Sequence, residues 1–435
     1  MTVFGQTGEL NRLPVPKGSE ALAAWRALVS ACAAWMFDAM DLQIFTLILF
    51  PSVSDLVGSM NPGLVAYTGG IVVGWKLAAL GLGGIAFGIA ADRIGRARTM
   101  IVTVLIYSIF TGLSALAQSW WQLAILQSLA GIGIGGEWAA GAALVAESWP
   151  ERTRTRALVV MQMCFAAGFF FAAAINLVVG PIGWRYVLAA GAAPALITLF
   201  IRLFVREPQP WIAARNRRLS GARGGAPDSA FTSFLGLFAS GIRRHTAVGL
   251  LVAASMMIGA FGGATLLPIW VPSLVGGDPG LAVTVTSQCF MLMNVGAIAG
   301  YLVLIWLIDA IGRRWSYFLM ALGSATANLF MFTQIGTAAG MLWFAPIYGV
   351  FVIGGFGTFA VYLPELFPTR IRATGQGFCW NAARLLTAAG PVATGLIVNA
   401  FSSAPGSGAA LSAIYLVGLI AIWLGPETKG VPLRD

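Results

Sequence analysis

Twelve apolar runs of roughly twenty residues follow one another along the chain with short polar breaks between them, and that rhythm decides what it can fold into. They are read at Ala24 to Phe50, Tyr67 to Ala91, Thr99 to Gln118, Trp121 to Glu147, Ala157 to Gly180 and Arg185 to Phe204. After a long polar stretch they resume at Thr246 to Pro272, Leu281 to Ile308, Trp315 to Gln334, Met341 to Leu363, Thr374 to Ala400 and Ala409 to Leu424. Helices of that length rise about 1.5 Å per residue and match a hydrocarbon layer about 30 Å thick. Only 10% of the residues are charged, against about 25% in soluble domains, so water is the wrong solvent for this chain. Closed barrels are built from short alternating strands, which these runs are not. The expected fold class is an all-α membrane protein with twelve transmembrane helices.

The net charge of +10 points to topology rather than to nucleic acid, because the arginines sit in the short breaks. Arg93, Arg96 and Arg98 separate the second and third runs, and Arg152, Arg154 and Arg156 the fourth and fifth. Arg313, Arg314, Arg370 and Arg372 keep the alternation, while the opposite breaks carry almost none apart from Arg185. The positive-inside rule then places both termini in the cytoplasm, as an even number of spans requires. The expected setting is the cell's inner membrane, multi-pass, with the lipid bilayer as a partner and no nucleic acid. The first residues are polar and do not read as a cleaved signal peptide. The expected division is an N-terminal segment 1–23, a six-helix bundle 24–205, a cytoplasmic linker 206–245 rich in Arg, Gly, Ala and Ser, a second bundle 246–425 and a tail 426–435.

An internal repeat supports the two bundles. Asp92-Arg93-Ile-Gly95-Arg96 after the second run returns as Asp309-Ala-Ile-Gly312-Arg313 after the eighth (309 − 92 = 217). Glu147, Pro150, Arg152 and Arg154 return as Glu365, Pro368, Arg370 and Arg372 (365 − 147 = 218). Two motifs at offsets within one residue of each other indicate duplication of a six-helix unit, as in transporters with parallel repeats.

These residues resemble the major facilitator superfamily, whose most specific signature is matched at Gly88, Asp92, Arg93, Gly95, Arg96 and Arg98. The resemblance covers essentially the whole chain. It implies two pseudo-symmetric six-helix bundles and a cytoplasmic gate at Gly88, Asp92, Arg93, Gly95, Arg96, Glu147, Arg154, Asp309, Gly312, Arg313, Glu365 and Arg372. Asp92 is expected against the N-terminus of the eleventh helix near Thr374, where the helix dipole favours an anion; the alternative is a loop that only sets topology. Arg206-Glu207-Pro208-x-x-Trp211 and Pro426-Glu427-Thr428-Lys429-Gly430 are similar to patterns in sugar porters and organic-acid proton symporters alike. Asp38-x-x-Asp41, with Gly133-Ile-Gly135-Gly136-Glu137-Trp138, is most similar to the metabolite, sialate/lactate and aromatic-acid proton symporters. No polar, glutamine-rich sugar site appears in the seventh run. Gly131-x-Gly133-x-Gly135-Gly136 imitates a dinucleotide loop, but no strand precedes it, and small residues that let helices approach closely are the better account.

Ionisable residues within spans are functional candidates by default. Asp38 and Asp41 share a helix face, and two carboxylates that close in a poorly hydrated site do not both ionise easily. Asp38, Asp41 and Glu137 are therefore the expected proton-coupling residues. Lys76 and Asp41 lie at matching depth and suggest an ion pair. Glu137 and Arg384 match in depth across the two halves, which suggests either an ion pair or a substrate carboxylate held by the guanidinium fork. Arg384, Lys76, Trp138 and Trp380 are the expected substrate-binding residues, with Trp35, Phe37, Phe45, Trp270 and Tyr362 as further aromatic candidates. The four cysteines are scattered through apolar runs and His245 is the sole histidine, so neither a disulfide framework nor a metal site is expected. No cofactor is expected, and no nucleophile–base set argues for an enzyme. The expected function is proton-coupled uptake of a small organic anion, a monocarboxylate, aromatic acid or acidic sugar, by a monomer. A proton-driven exporter of amphipathic compounds, or a carrier of a neutral solute, is the alternative.

Overall fold

The computed structural model describes residues 19–59, 61–192, 204–219, 230–388 and 404–433. Among these residues every regular element is helical. The first half contains α1 (Ser19–Val57), α2 (Pro62–Ile94), α3 (Arg96–Ser114), α4 (Trp120–Ser148), α5 (Glu151–Val179) and α6 (Trp184–Ala190). Between the halves lie α7 (Gln209–Leu219) and α8 (Ala230–Leu235). The second half contains α9 (Arg243–Leu274), α10 (Pro279–Ile311), α11 (Arg313–Gln334), α12 (Ala338–Val352), α13 (Gly357–Leu366), α14 (Arg372–Ala388), α15 (Ala404–Leu411) and α16 (Ile414–Leu424). Nine helical stretches among the described residues are long and apolar enough to cross a membrane. Residues 193–203 of the expected sixth span and 389–400 of the expected eleventh lie outside the described residues.

Local chemistry sets the helix ends. Asp278 caps α10 by accepting from the Leu281 amide, with Pro279 in the first turn where its missing N–H costs nothing. Thr337 caps α12 in the same way through the Gly340 amide. Gly95 and Gly312 stand between the second and third helices of each half with φ of 120° and 87°, a region that side chains with a Cβ rarely enter. The chain therefore turns sharply there and starts α3 and α11 at equivalent places in the two halves.

Two expectations are corrected. The tenth run is broken rather than continuous: α12 ends, a 3₁₀ turn covers Gly354–Phe356, and α13 begins at Gly357. Three glycines weaken the helix at that point. The twelfth run begins earlier than Ala409 and is split into α15 and α16.

Residues such as Trp306, Trp343 and Leu177 point outward, more than two-thirds exposed, which is a lipid-facing pattern. By contrast α4 is buried along 89% of its most apolar window, against 33% for α2, so α4 stands inside its bundle. The halves meet where α2 and α4 run along α14, and where α5 runs along α10 and α13. At the α2–α14 crossing Gly88 touches the facing backbone; a methyl on it would come within 2.8 Å of the Ala373 carbonyl oxygen. The glycine run of α4 is a packing device too, since a methyl on Gly135 would lie 1.9 Å from the Leu80 carbonyl oxygen.

Candidate functional site

Asp38 and Asp41 leave α1 one turn apart and meet different partners. Asp41 accepts from Lys76 of α2 at 3.0 Å and from Thr111 of α3. Lys76 also donates to Gln127 of α4 at 2.7 Å and lies 4.5 Å from the centre of the Phe45 ring. Gln127 donates on to Ser114 at 3.0 Å. Four helices are thereby pinned around one compensated, buried ion pair. The donors of Lys76 are engaged by protein groups, which argues against its expected place as a substrate ligand.

Asp38 turns instead toward Glu137 of α4. Both side chains are fully buried, and none of their four oxygens finds a donor among the described residues. The two carboxyl groups lie within hydrogen-bonding reach of each other. A hydrogen bond between two carboxyls requires one proton on the pair. The pairing expected of Asp38 with Asp41 is corrected to Asp38 with Glu137. The physical reason is that Lys76 and Thr111 already satisfy Asp41.

Arg384 of α14 faces this pair from the second half. Its guanidinium stands 5.5 Å from the centre of the Trp380 ring, and the carboxyl whose charge reaches it is that of Asp38. Among the described residues it makes no ion pair, and the Glu137–Arg384 bridge suggested by depth does not form. Aromatic rings pack around this cluster. Trp138 and Trp380 stack across the two halves at 4.2 Å and 15°. Trp35 packs on Phe165 at 4.8 Å, and Phe356 and Phe359 beside the break in the tenth span meet Trp380 at 6.1 and 5.8 Å. The indole N–H groups of Trp35 and Trp380 are buried without acceptors among the described residues. Trp270 and Tyr362 lie elsewhere: Trp270 against Phe332, and Tyr362 donating to the Pro426 carbonyl.

At the arginine-rich face the halves are joined by polar contacts. The Asp92 carboxylate accepts from the Ala373 and Thr374 amides, at 3.2 and 2.7 Å, and from the Thr374 hydroxyl, where α14 begins. Arg96 bridges Asp92 and Glu147, both at 2.9 Å, and donates to the Thr369 carbonyl. Glu147 accepts in turn from Arg372 at 2.7 Å. The second half repeats the pattern: Arg313 clamps Glu365 through two nitrogens at 3.0 and 2.9 Å and donates to Thr155 of α5. Arg154 is buried within the field of Glu365. Asp309 meets Arg156 at 3.3 Å, but these side chains are 34% and 45% exposed, so water weakens that link. Arg93 is half-buried at the same rim. Gln376 donates to the Ala139 carbonyl and carries the seal inward.

Two residues at this face were not assigned a role from sequence. Glu207 accepts from the amides of Arg96, Ala97 and Arg98 and so caps α3. Glu427 accepts from the amides of Arg313 and Arg314 and caps α11 at the equivalent place. Burial pushes the Glu207 carboxyl above its usual range against the pull of those amides. For Glu427 burial works the same way, but the amides of Arg313, Arg314, Lys429 and Thr428 outweigh it and hold the carboxyl below. Each Glu follows the last span of its half, so the sixth and twelfth spans are tied to the third and ninth through a helix N-terminus.

Membrane-length helices in two halves, joined at one face beside a buried charged and aromatic cluster, have the form of a membrane transporter. The Major Facilitator Superfamily model matches residues 27–378, and the chain belongs to that superfamily. A Haemophilus influenzae chain named for metabolite transport is 33% identical over 94% of this chain and 98% of its own length. A chain of Cupriavidus pinatubonensis named "Probable 4-methylmuconolactone transporter" is 30% identical, over 93% and 91%. The solved proton:xylose symporter XylE, bound to 6-bromo-6-deoxy-D-glucose, superposes with a TM-score of 0.75 at 19% identity, covering 94% of this chain and 98% of that one; that likeness speaks for the fold. The protein is a small-metabolite transporter of the superfamily.

Proposed function

We propose that this carrier takes up a small organic anion together with a proton, by alternating access across the inner membrane, with the arginine-rich face in the cytoplasm and one chain sufficient. The observation that carries the reading is the division of charge across the cleft. A carboxyl pair that needs a proton sits on the first half, and an arginine without an ion-pair partner among the described residues sits on the second. An anion bound to Arg384 brings negative charge toward Asp38 and Glu137. That charge favours a proton on the pair, so substrate and proton load together. The proton offsets the charge that the anion brings, so the loaded cleft carries no more charge than the empty one and the halves can rock. The stacked Trp138 and Trp380 and the buried N–H groups of Trp35 and Trp380 suit a ligand with an unsaturated or ring-shaped body. Asp92, Arg96, Glu147, Arg313, Glu365 and Arg372 act as the gate at the cytoplasmic face.

The test is uptake into proteoliposomes of labelled lactate, benzoate, nicotinate, sialate and 4-methylmuconolactone, with and without an imposed inward proton gradient. At least one carboxylate should accumulate only with the gradient. Arg384→Lys should raise its KM about tenfold, since a point charge replaces a two-oxygen fork. Gradient-independent uptake, or unchanged affinity in Arg384→Ala, sinks the reading.

A further inference from the structure

Tyr107 of α3 is fully buried, and its hydroxyl has no hydrogen-bond partner among the described residues. Buried hydroxyls are almost always bonded, so an unbonded one beside a reaction centre asks what it is for. Its position follows from three helical ladders. On α1, Asp38 lies one turn before Asp41, and on α3, Tyr107 lies one turn before Thr111; both helices run away from the arginine-rich face. Thr111 donates to Asp41, so the outer rungs meet. The inner rungs then bring Tyr107 to the level of Asp38. On α4, Gly133 lies one turn from Glu137, and a methyl on Gly133 would come within 2.7 Å of the Tyr107 amide nitrogen. That bare spot seats α3 against α4 beside the face that carries Glu137. The charges that reach Tyr107 agree with this placement: Asp38 first, then Glu137, then Asp41.

We propose that Tyr107 is a positioning residue of the proton site, its hydroxyl donating to the Asp38–Glu137 pair once the pair has lost its proton. This rests on the proton-coupled reading above. With the proton on the carboxyl pair, the two acids bond to each other and the tyrosine hydroxyl stays beside its neighbour Ser108 on α3. When the proton leaves, the remaining carboxylates lose that bond, and the phenol O–H replaces it, with the tyrosine keeping its own proton throughout. The other charges nearby do not compete: Asp41 is held by Lys76 from α2 and by Thr111, and Arg384 from α14 is a donor that faces the cleft. Tyr107 thereby lowers the cost of releasing the proton at the cytoplasmic face, without touching substrate.

The experiment is Tyr107→Phe, which keeps the ring and removes only the hydroxyl. Gradient-driven uptake and substrate exchange are measured in proteoliposomes from pH 5 to 9. The pair should hold its proton more tightly, so the pH of half-maximal uptake should rise by about one unit, the value of one charge-assisted hydrogen bond. Exchange at acidic pH and the KM should stay as in the wild type. A pH profile that does not move overturns the proposal. So does a variant equally impaired in exchange at every pH, because that marks a packing role. A wild-type carrier whose uptake ignores pH removes the parent reading and this one together, an outcome distinct from a wild-type dependence that Tyr107→Phe leaves in place.

Discussion

The two aspartates of α1 look interchangeable and are not. Asp38 has a carboxyl for a neighbour, whereas Asp41 has a lysine on one oxygen and a threonine on the other. Asp38→Asn and Glu137→Gln should each cut gradient-driven accumulation at least tenfold while exchange persists and the protein inserts normally. Asp41→Asn should act on folding. It leaves Lys76 buried without its counter-ion, a change worth about 3–5 kcal/mol, and so lowers the yield of folded carrier. Adding Lys76→Met should restore that yield. If Asp41→Asn folds normally but loses accumulation, the assignments of Asp38 and Asp41 are reversed. Depth counting along the sequence found the Lys76–Asp41 pair because both residues sit near the same level on consecutive helices. The same counting offered an ion pair between Glu137 and Arg384, which does not form among the described residues. Depth fixes height in the membrane but not azimuth, and Asp38 occupies the side of α4 that Glu137 faces.

Between elements, the seal at the arginine-rich face depends on a helix start meeting a carboxylate. Asp92 takes three donors at the beginning of α14, is 1% exposed and sits behind the glycine contact at Gly88. Asp309, its repeat partner, has one exposed ion pair. Asp92→Asn should therefore open this face far more than Asp309→Asn, and Gly88→Val should do the same by forcing α2 off the Ala373 carbonyl. Maleimide labelling of a cysteine introduced at Gln376 reads the opening. Equal labelling in Asp92→Asn and Asp309→Asn would leave the loop with a topological role only. The placement of Asp92 near Thr374 was legible in the sequence, because a signature loop and a helix dipole point to one geometry. The roles of Glu207 and Glu427 were not legible, although their motifs stood out. Each caps a helix more than a hundred positions away, and no periodicity reports such a contact. The break at Gly354–Phe356 was hidden by an unbroken apolar run, although it is what sets Phe356 and Phe359 against Trp380.

At the scale of the whole molecule, the repeat makes the seal nearly two-fold. Glu147 reaches across to Arg372, Arg154 lies in the field of Glu365, Arg96 donates to Thr369, and Arg313 donates to Thr155. The stacked Trp138 and Trp380 continue this interface to the cleft itself. If transport requires the halves to rock, every one of these contacts has to separate once per cycle. The exposed pair Arg156 and Asp309 offers a handle on that motion, because it bridges the halves at the rim and lies outside the buried network. Cysteines introduced at both positions, joined by a short bifunctional thiosulfonate, should tether the face shut. Uptake should fall to background and return when the tether is reduced, while either single cysteine treated alike should transport normally. The four native cysteines are half-buried or buried, so labelling should fall on the introduced pair. Substrate should still protect the tethered carrier against a reagent that reaches the cleft from the opposite side, since the site itself stays intact. Undiminished uptake with the tether in place would mean that this interface does not open during transport, and rocking of the two halves would have to be given up.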